Sequence, residues 1–139
     1  MSDLEDYLNK LIRKKNIFRD QSFENLKQVL VNLKIKKPNK LISITGTNGK
    51  GSTAEILSRV LAKNKYEVGL LTSPHLVKFN ERIRINNKNI DDSEMLNCLE
   101  EVNKLKDSKE LNFYQIIAAA AFLFFSKKKL DVWILEVGL

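Results

Sequence analysis

Eight consecutive residues, Gly46-Thr47-Asn48-Gly49-Lys50-Gly51-Ser52-Thr53, hold the densest chemistry in this 139-residue chain. Glycines let a backbone curl so that successive N–H groups face inward around an anion. A helix behind such a turn favours negative charge at its N-terminus. Lys50 adds a full positive charge for the outer phosphates of a nucleotide. Ser52 or Thr53 offers a hydroxyl where the accompanying magnesium would sit. The spacing departs from the common G-x-x-x-x-G-K form. Only Thr47 and Asn48 separate Gly46 from the Gly49-Lys50 pair, and Gly51 intrudes before Ser52. An ordinary strand-to-helix turn is the alternative, against which strand context, lysine and hydroxyls argue together.

Glu136 is the second candidate. It stands near the end of DVWILEV, Asp131 to Val137, which reads as a strand apolar on both faces inside a parallel sheet. Ligands of open α/β sheets bind at the C-terminal edge of the strands. A carboxylate there suits Mg2+, a hard cation that prefers oxygen; a solvated strand-end acid is the alternative. His75 is the only histidine, a loop hydrogen-bonding residue as readily as a functional one, and is not read as a general base.

These groups need a scaffold of strand, turn, helix and strand. Leu41 to Thr45 is a β-rich run. Ile56, Leu57, Val60 and Leu61 place an apolar stripe on a helix ending near Asn64, and Glu67 to Thr72 reads as a second buried strand. Together they imply a right-handed parallel crossover. Ser73 to Glu81 reads as a loop, and Ile83 to Ile90 as a small hairpin turning at Asn86-Asn87-Lys88. Asp91 and Glu94 have capping-box spacing and open a helix through Leu105. Ile116 to Phe125, apolar nearly all round, is a buried helix. Upstream, Ser2 and Glu5 repeat the capping-box spacing before a helix carrying Leu4, Tyr7, Leu8, Leu11 and Ile12. A second amphipathic helix carries Phe23, Leu26, Val29, Leu30 and Leu33; Ser22 starts it and Lys36-Lys37-Pro38-Asn39 breaks it.

With 43% hydrophobic and 29% charged residues, the composition excludes a disordered chain. The net charge of +7 admits nucleic acid, an anionic membrane surface or an anionic small ligand. Short lysine clusters such as Lys127-Lys128-Lys129 fall at expected helix ends, where they complement the dipole. Cys98 is the single cysteine, so no internal disulfide can form. The acidic start MSDLEDYLNK is no secretory signal, and the apolar run Ile116 to Phe125 is too short to cross a bilayer. A cytoplasmic protein is expected.

GTNGKGST resembles the ATP loop of the Mur ligase superfamily, and more narrowly that of the folylpolyglutamate synthase and dihydrofolate synthase family. Leu71-Thr72-Ser73-Pro74-His75-Leu76, then Phe79-Asn80-Glu81-Arg82-Ile83, then Ile85-Asn86 follow in that family's order. Leu135-Glu136-Val137-Gly138-Leu139 resembles its next signature, which in relatives continues into more glycines. The resemblance covers nearly the whole chain and is weakest before Leu41.

The resemblance implies a Mur-ligase-like α/β fold: a P-loop-type, three-layer ATP-binding domain with a mainly parallel sheet, here expected to be truncated. Residues 1–40 would be an N-terminal helical segment packed on the ATP domain and 41–139 the first part of that domain, with the glutamate-binding domain absent. It implies ATP and Mg2+ as cofactors, Gly46 to Thr53 as the ATP loop with Lys50 catalytic, and Ser73 and Glu136 as magnesium ligands. Ser52 is the physical alternative for the second metal position. His75, Phe79 and Arg82 shape or contact the substrate pocket; for Arg82 a structural ion pair is the alternative. Asn112-Phe113-Tyr114-Gln115 falls where relatives line the pterin site, with Tyr114 and Gln115 as contacts; relatives often have glutamate at the Gln115 position.

The implied reaction is ATP-dependent ligation of L-glutamate to dihydropteroate, folate or both through an acyl phosphate. The chain as given is expected to be inactive by itself. Small-molecule substrates, no nucleic acid, no membrane and a monomer are expected. The rival readings are a Mur-type ligase of a cell-wall precursor and a basic P-loop module that binds nucleic acid. The SPHL and FNERI segments argue against the first, and the lack of an aromatic-and-basic stripe against the second.

Overall fold

The last strand in sequence lies between the first two in space. The computed structural model describes residues 2–14 and 23–138. Its strands are β1 Lys40–Ile44, β2 Val68–Leu71, β3 Ile83–Ile85, β4 Lys88–Asn89 and β5 Val132–Glu136, in the sheet order β1-β5-β2-β3-β4. β5 pairs in parallel with β1, setting Glu136 opposite Ile44, and with β2, setting Leu135 opposite Leu71. That position buries Val132, Trp133 and Ile134, as a strand apolar on both faces requires. β3 and β4 extend the sheet antiparallel, so the expectation of a mainly parallel sheet describes β1, β5 and β2. The hairpin turns on Asn86 and Asn87, both at positive φ (49° and 66°), where asparagine is among the best-tolerated residues. Asn86 locks it further: its Oδ1 accepts from Val68 N–H (2.9 Å) and its Nδ2 donates to Glu67 Oε2 (2.7 Å).

The chain divides into two compact units, residues 37–91 with 125–139 and residues 1–36 with 92–124. In the first, helix α3 (Lys50–Lys63) packs on the parallel strands. Ala54, Val68, Leu70, Val132 and Ile134 form its core, flanked by Ile42, Ile44, Leu57, Leu61 and Ala62. This corrects the expected stripe on α3. Ile56 and Val60 are 63% and 50% exposed, and the inward face is 54, 57, 58, 61 and 62. Its small residues, Ala54 and Ser58, let the helix lie close to the sheet.

In the second unit, α1 (Asp3–Lys14) begins with the expected reciprocal box. Ser2 N–H donates to Glu5 Oε2 (2.9 Å) and Glu5 N–H to Ser2 Oγ (3.3 Å). Leu4, Leu8 and Leu11 are buried, and α1 packs on α4 (Asp92–Asn103), whose Met95, Cys98, Leu99 and Val102 are buried. α4 ends two residues earlier than Leu105, the expected end. α2 (Phe23–Asn32) buries only Val29 fully, and Phe23 is 69% exposed, so its expected stripe is narrower than read. The Ser22 start lies outside the described residues. α5 (Phe113–Ser126) is buried along most of its length, in agreement with its all-round apolar sequence. No helix among the described residues is long and apolar enough to cross a membrane.

Candidate functional site

β1 ends where the glycine turn begins, and α3 starts at Lys50. Gly46 and Gly49 have φ of +146° and +75°, values that a side chain would strain. Gly49 is the residue before α3; no side chain caps the helix, and its first turn holds no acid. The first backbone bond into the turn runs from Thr53 N–H to Gly49 O (2.9 Å). The amides ahead of it therefore have no partner within the helix. Lys50 Nζ donates to Gly46 O (2.7 Å), folding its ammonium back across the turn. Thr47, Asn48, Ser52 and Thr53 are exposed. Free amides, a helix N-terminus and an ammonium on one open turn make a site for a multiply charged anion.

Glu136 completes this edge. Its Oε2 accepts from Ser73 N–H at 2.9 Å. Its two carboxylate oxygens lie 3.7 and 3.9 Å from where a side chain on Gly51 would start. The carboxylate thus stands between the exit of β2 and the first turn of α3, and the structure joins Gly51, Ser73 and Glu136, which lie far apart in sequence. No group of three or more His, Cys, Asp or Glu that could hold a metal occurs among the described residues. One carboxylate at this edge, with Ser52 and Ser73 adjoining in sequence the groups it meets, suits a hard cation that keeps waters and takes phosphate oxygens as its other ligands. The residues present therefore fit Mg2+ held jointly with a nucleotide.

The segment after β2 is more ordered than the expected loop. It closes in a 3-10 turn, Phe79–Arg82. Arg82 Nε donates to His75 Nδ1 (2.9 Å), and the Arg82 guanidinium lies 4.8 Å from the Phe79 ring centre. The His75 and Phe79 rings are 5.2 Å apart. The structure therefore gathers His75, Phe79 and Arg82. Glu81, which sequence reasoning missed, accepts from the N–H groups of Leu76 (2.7 Å), Val77 (3.1 Å) and Lys78 (2.8 Å). Those bonds, chiefly from Lys78 and then Leu76, hold its carboxyl below the ordinary range.

A second missed link runs from α3 to β3. Glu55 accepts from Arg84 Nη1 (2.6 Å) and Arg59 Nε (2.7 Å), and Arg84 Nη2 reaches Thr72 Oγ1 (3.5 Å). Burial pushes the Glu55 carboxyl up, and the two guanidiniums outweigh it and hold the group below its usual value. Tyr114 and Gln115 lie in the other unit, in the first turn of α5. Tyr114 is 55% exposed. Gln115 is buried, with Asn112 N–H donating to its Oε1 (3.0 Å) and its own N–H donating to Asn112 Oδ1 (2.9 Å). Gln115 thus caps α5, a local duty a glutamate would perform equally.

No protein-family model matches the chain. Among curated proteins, the dihydrofolate synthase/folylpolyglutamate synthase of Buchnera aphidicola (subsp. Acyrthosiphon pisum) is 38% identical over 105 residues, 76% of this chain and 26% of that protein. The Escherichia coli K12 protein of the same name is 33% identical over 121 residues, 86% of this chain and 29% of that protein. The chain belongs to the folylpolyglutamate synthase/dihydrofolate synthase family. Solved family structures agree over nearly the whole chain. E. coli FolC in complex with DHPP and ADP superposes with a TM-score of 0.90 at 30% identity, covering 99% of this chain and 34% of that one. The Yersinia pestis bifunctional enzyme complexed with AMPPNP and a Mn ion gives 0.90 at 31% identity, covering 100% and 34%. This family sequence therefore spans about a quarter to a third of the length of the relatives it matches.

Proposed function

We propose that the protein carrying this chain is an ATP-dependent amide ligase that joins L-glutamate to dihydropteroate, folate or both. The observation that carries this reading is the Glu136 carboxylate, set against Gly51 and Ser73 beside the uncapped first turn of α3. Gly46 to Thr53 hold the ATP phosphates, with Lys50 on the outer ones. Glu136 with Ser73, or with Ser52 in its place, would hold Mg2+, which when bound neutralises phosphate charge. A carboxylate oxygen of the pteroate or folate bonds to the γ-phosphorus of ATP, and ADP leaves. The amine of glutamate then bonds to the acyl carbon, phosphate leaves, and the amine's proton passes to solvent.

This chain's own part is positioning and charge neutralisation. The 73–82 segment shields the acyl phosphate from water. His75, Phe79 and Arg82 serve the pterin or folate, and Tyr114 and Gln115 keep the same assignment from sequence alone. Residues 41–139 are the first part of the ATP-binding domain and 1–40 the helical segment that accompanies it. Glutamate binding falls to parts of the protein outside these residues, so the 139-residue chain by itself binds nucleotide without turnover. A monomeric cytoplasmic protein with small-molecule partners belongs to the same reading; its single cysteine, Cys98, is buried.

The test is phosphate release from ATP by the protein with dihydropteroate or folate. Release that needs both pteroate-class substrate and glutamate, and falls about a hundredfold or more in Lys50→Ala, supports the reading. Release indifferent to glutamate contradicts it.

A further inference from the structure

Three consecutive main-chain amides, Leu76, Val77 and Lys78, converge on one carboxylate, that of Glu81. The backbone closes the same ring, with Glu81 N–H donating to Lys78 O (3.0 Å). Apolar packing contributes little to holding this turn, since Leu76 and Val77 are 93% and 83% exposed. What fixes residues 76–78 relative to the 79–82 turn is the Glu81 side chain. His75 enters the clamped stretch, and Phe79 and Arg82 leave it. Their mutual geometry, with Arg82 Nε on His75 Nδ1 and the guanidinium over the Phe79 ring, spans the turn that Glu81 closes. Because Nδ1 accepts, the imidazole proton sits on Nε2.

We propose that Glu81 is a positioning residue: it clamps residues 76–78 so that His75, Phe79 and Arg82 form one preassembled cation–aromatic surface for an anionic aromatic substrate. The identity of that substrate rests on the ligase reading; the clamp does not. A surface assembled before binding spares the substrate the cost of ordering it, so loss of the clamp is expected in KM more than in kcat.

The experiment compares the protein with Glu81→Ala and Glu81→Gln. In Glu81→Ala, amide hydrogen exchange at Leu76, Val77 and Lys78 is expected to quicken about tenfold or more, the order expected for losing bonds to a charged acceptor. The ring nitrogen spectrum of His75 shifts from the Nε2–H form towards a tautomer mixture. KM for dihydropteroate rises about tenfold at a nearly constant kcat. Glu81→Gln, which keeps a carbonyl acceptor, falls between. Mg2+–ATP shifts at Gly49 to Thr53 stay as in the parent. Unchanged exchange and His75 tautomer in Glu81→Ala, or a fall in kcat at unchanged KM, overturns the proposal. A parent protein that uses no pteroate-class substrate overturns the ligase reading, while the exchange and tautomer measurements still decide the clamp.

Discussion

The N–H of Ser73 donates to Glu136 Oε2 at 2.9 Å, tying the exit of β2 to the end of β5 at the edge where the glycine turn opens. Two residues that the family resemblance proposes for one metal site are thus mechanically joined. A carboxylate oriented by a main-chain donor keeps its second oxygen for another partner. The same bond fixes the start of the segment that carries His75, Phe79 and Arg82.

Glu136→Gln separates these duties. Its amide oxygen can still accept from Ser73 N–H, so thermal stability stays close to the parent's. Its lost charge weakens the hard-cation site. In calorimetry, Mg2+ is expected to strengthen ATP binding by the parent about tenfold more than by the variant. With EDTA present the two proteins converge. An equal Mg2+ effect in both would remove Glu136 from the metal site.

The Glu81 clamp has a pH signature. Its carboxyl is held below the ordinary value by main-chain bonds. The clamp's stabilisation is therefore fully present above the ordinary carboxylate pKa and is lost as pH falls through the lower, folded-state pKa. Amide exchange at Leu76 to Lys78, corrected for intrinsic rate, should stay protected through the ordinary carboxylate range and open only in stronger acid. Opening centred at the ordinary carboxylate pKa would contradict the bonds.

Gly69 is a packing requirement of the sheet. A methyl group there would meet Leu130 Cδ1 at 2.9 Å and the Phe125 ring at 3.1 Å. Gly69→Ala is expected to cost about 1–3 kcal/mol in a denaturant titration, because the Phe125 ring already packs on Trp133 at 5.5 Å. An unchanged midpoint would show that Leu130 and Phe125 yield freely.

Much of this site was legible in sequence because its chemistry is local. A glycine turn, one lysine and two hydroxyls after a β-rich run point to a phosphate-type turn with little reference to the rest of the fold, and the structure shows that turn between β1 and α3. The acid near the end of DVWILEV was legible too, since a strand apolar on both faces has few places to lie but between others. The inward face of α3 was only partly so: Leu57 and Leu61 flank the core as expected, but the rest of the stripe does not. Ile56 and Val60 are its strongest hydrophobes, yet they line an open groove with Arg59 and Tyr66, while Ala54 and Ser58 meet the sheet. Close approach selects small side chains, which a count of hydrophobes overlooks. Glu81 was missed because a side chain bonding to its own nearby backbone leaves no periodic trace. The Glu55–Arg84 pair was missed because it joins residues 29 positions apart through tertiary packing alone.

The most direct test of the central claim is the amide spectrum of the protein on adding Mg2+–ATP. Large shifts at Gly46 and at Gly49 to Thr53, with little change along Ala62 to Lys65 at the far end of α3 and a marked loss of response in Lys50→Ala, are the predicted result. A turn whose amides stay unmoved at saturating Mg2+–ATP would contradict the account.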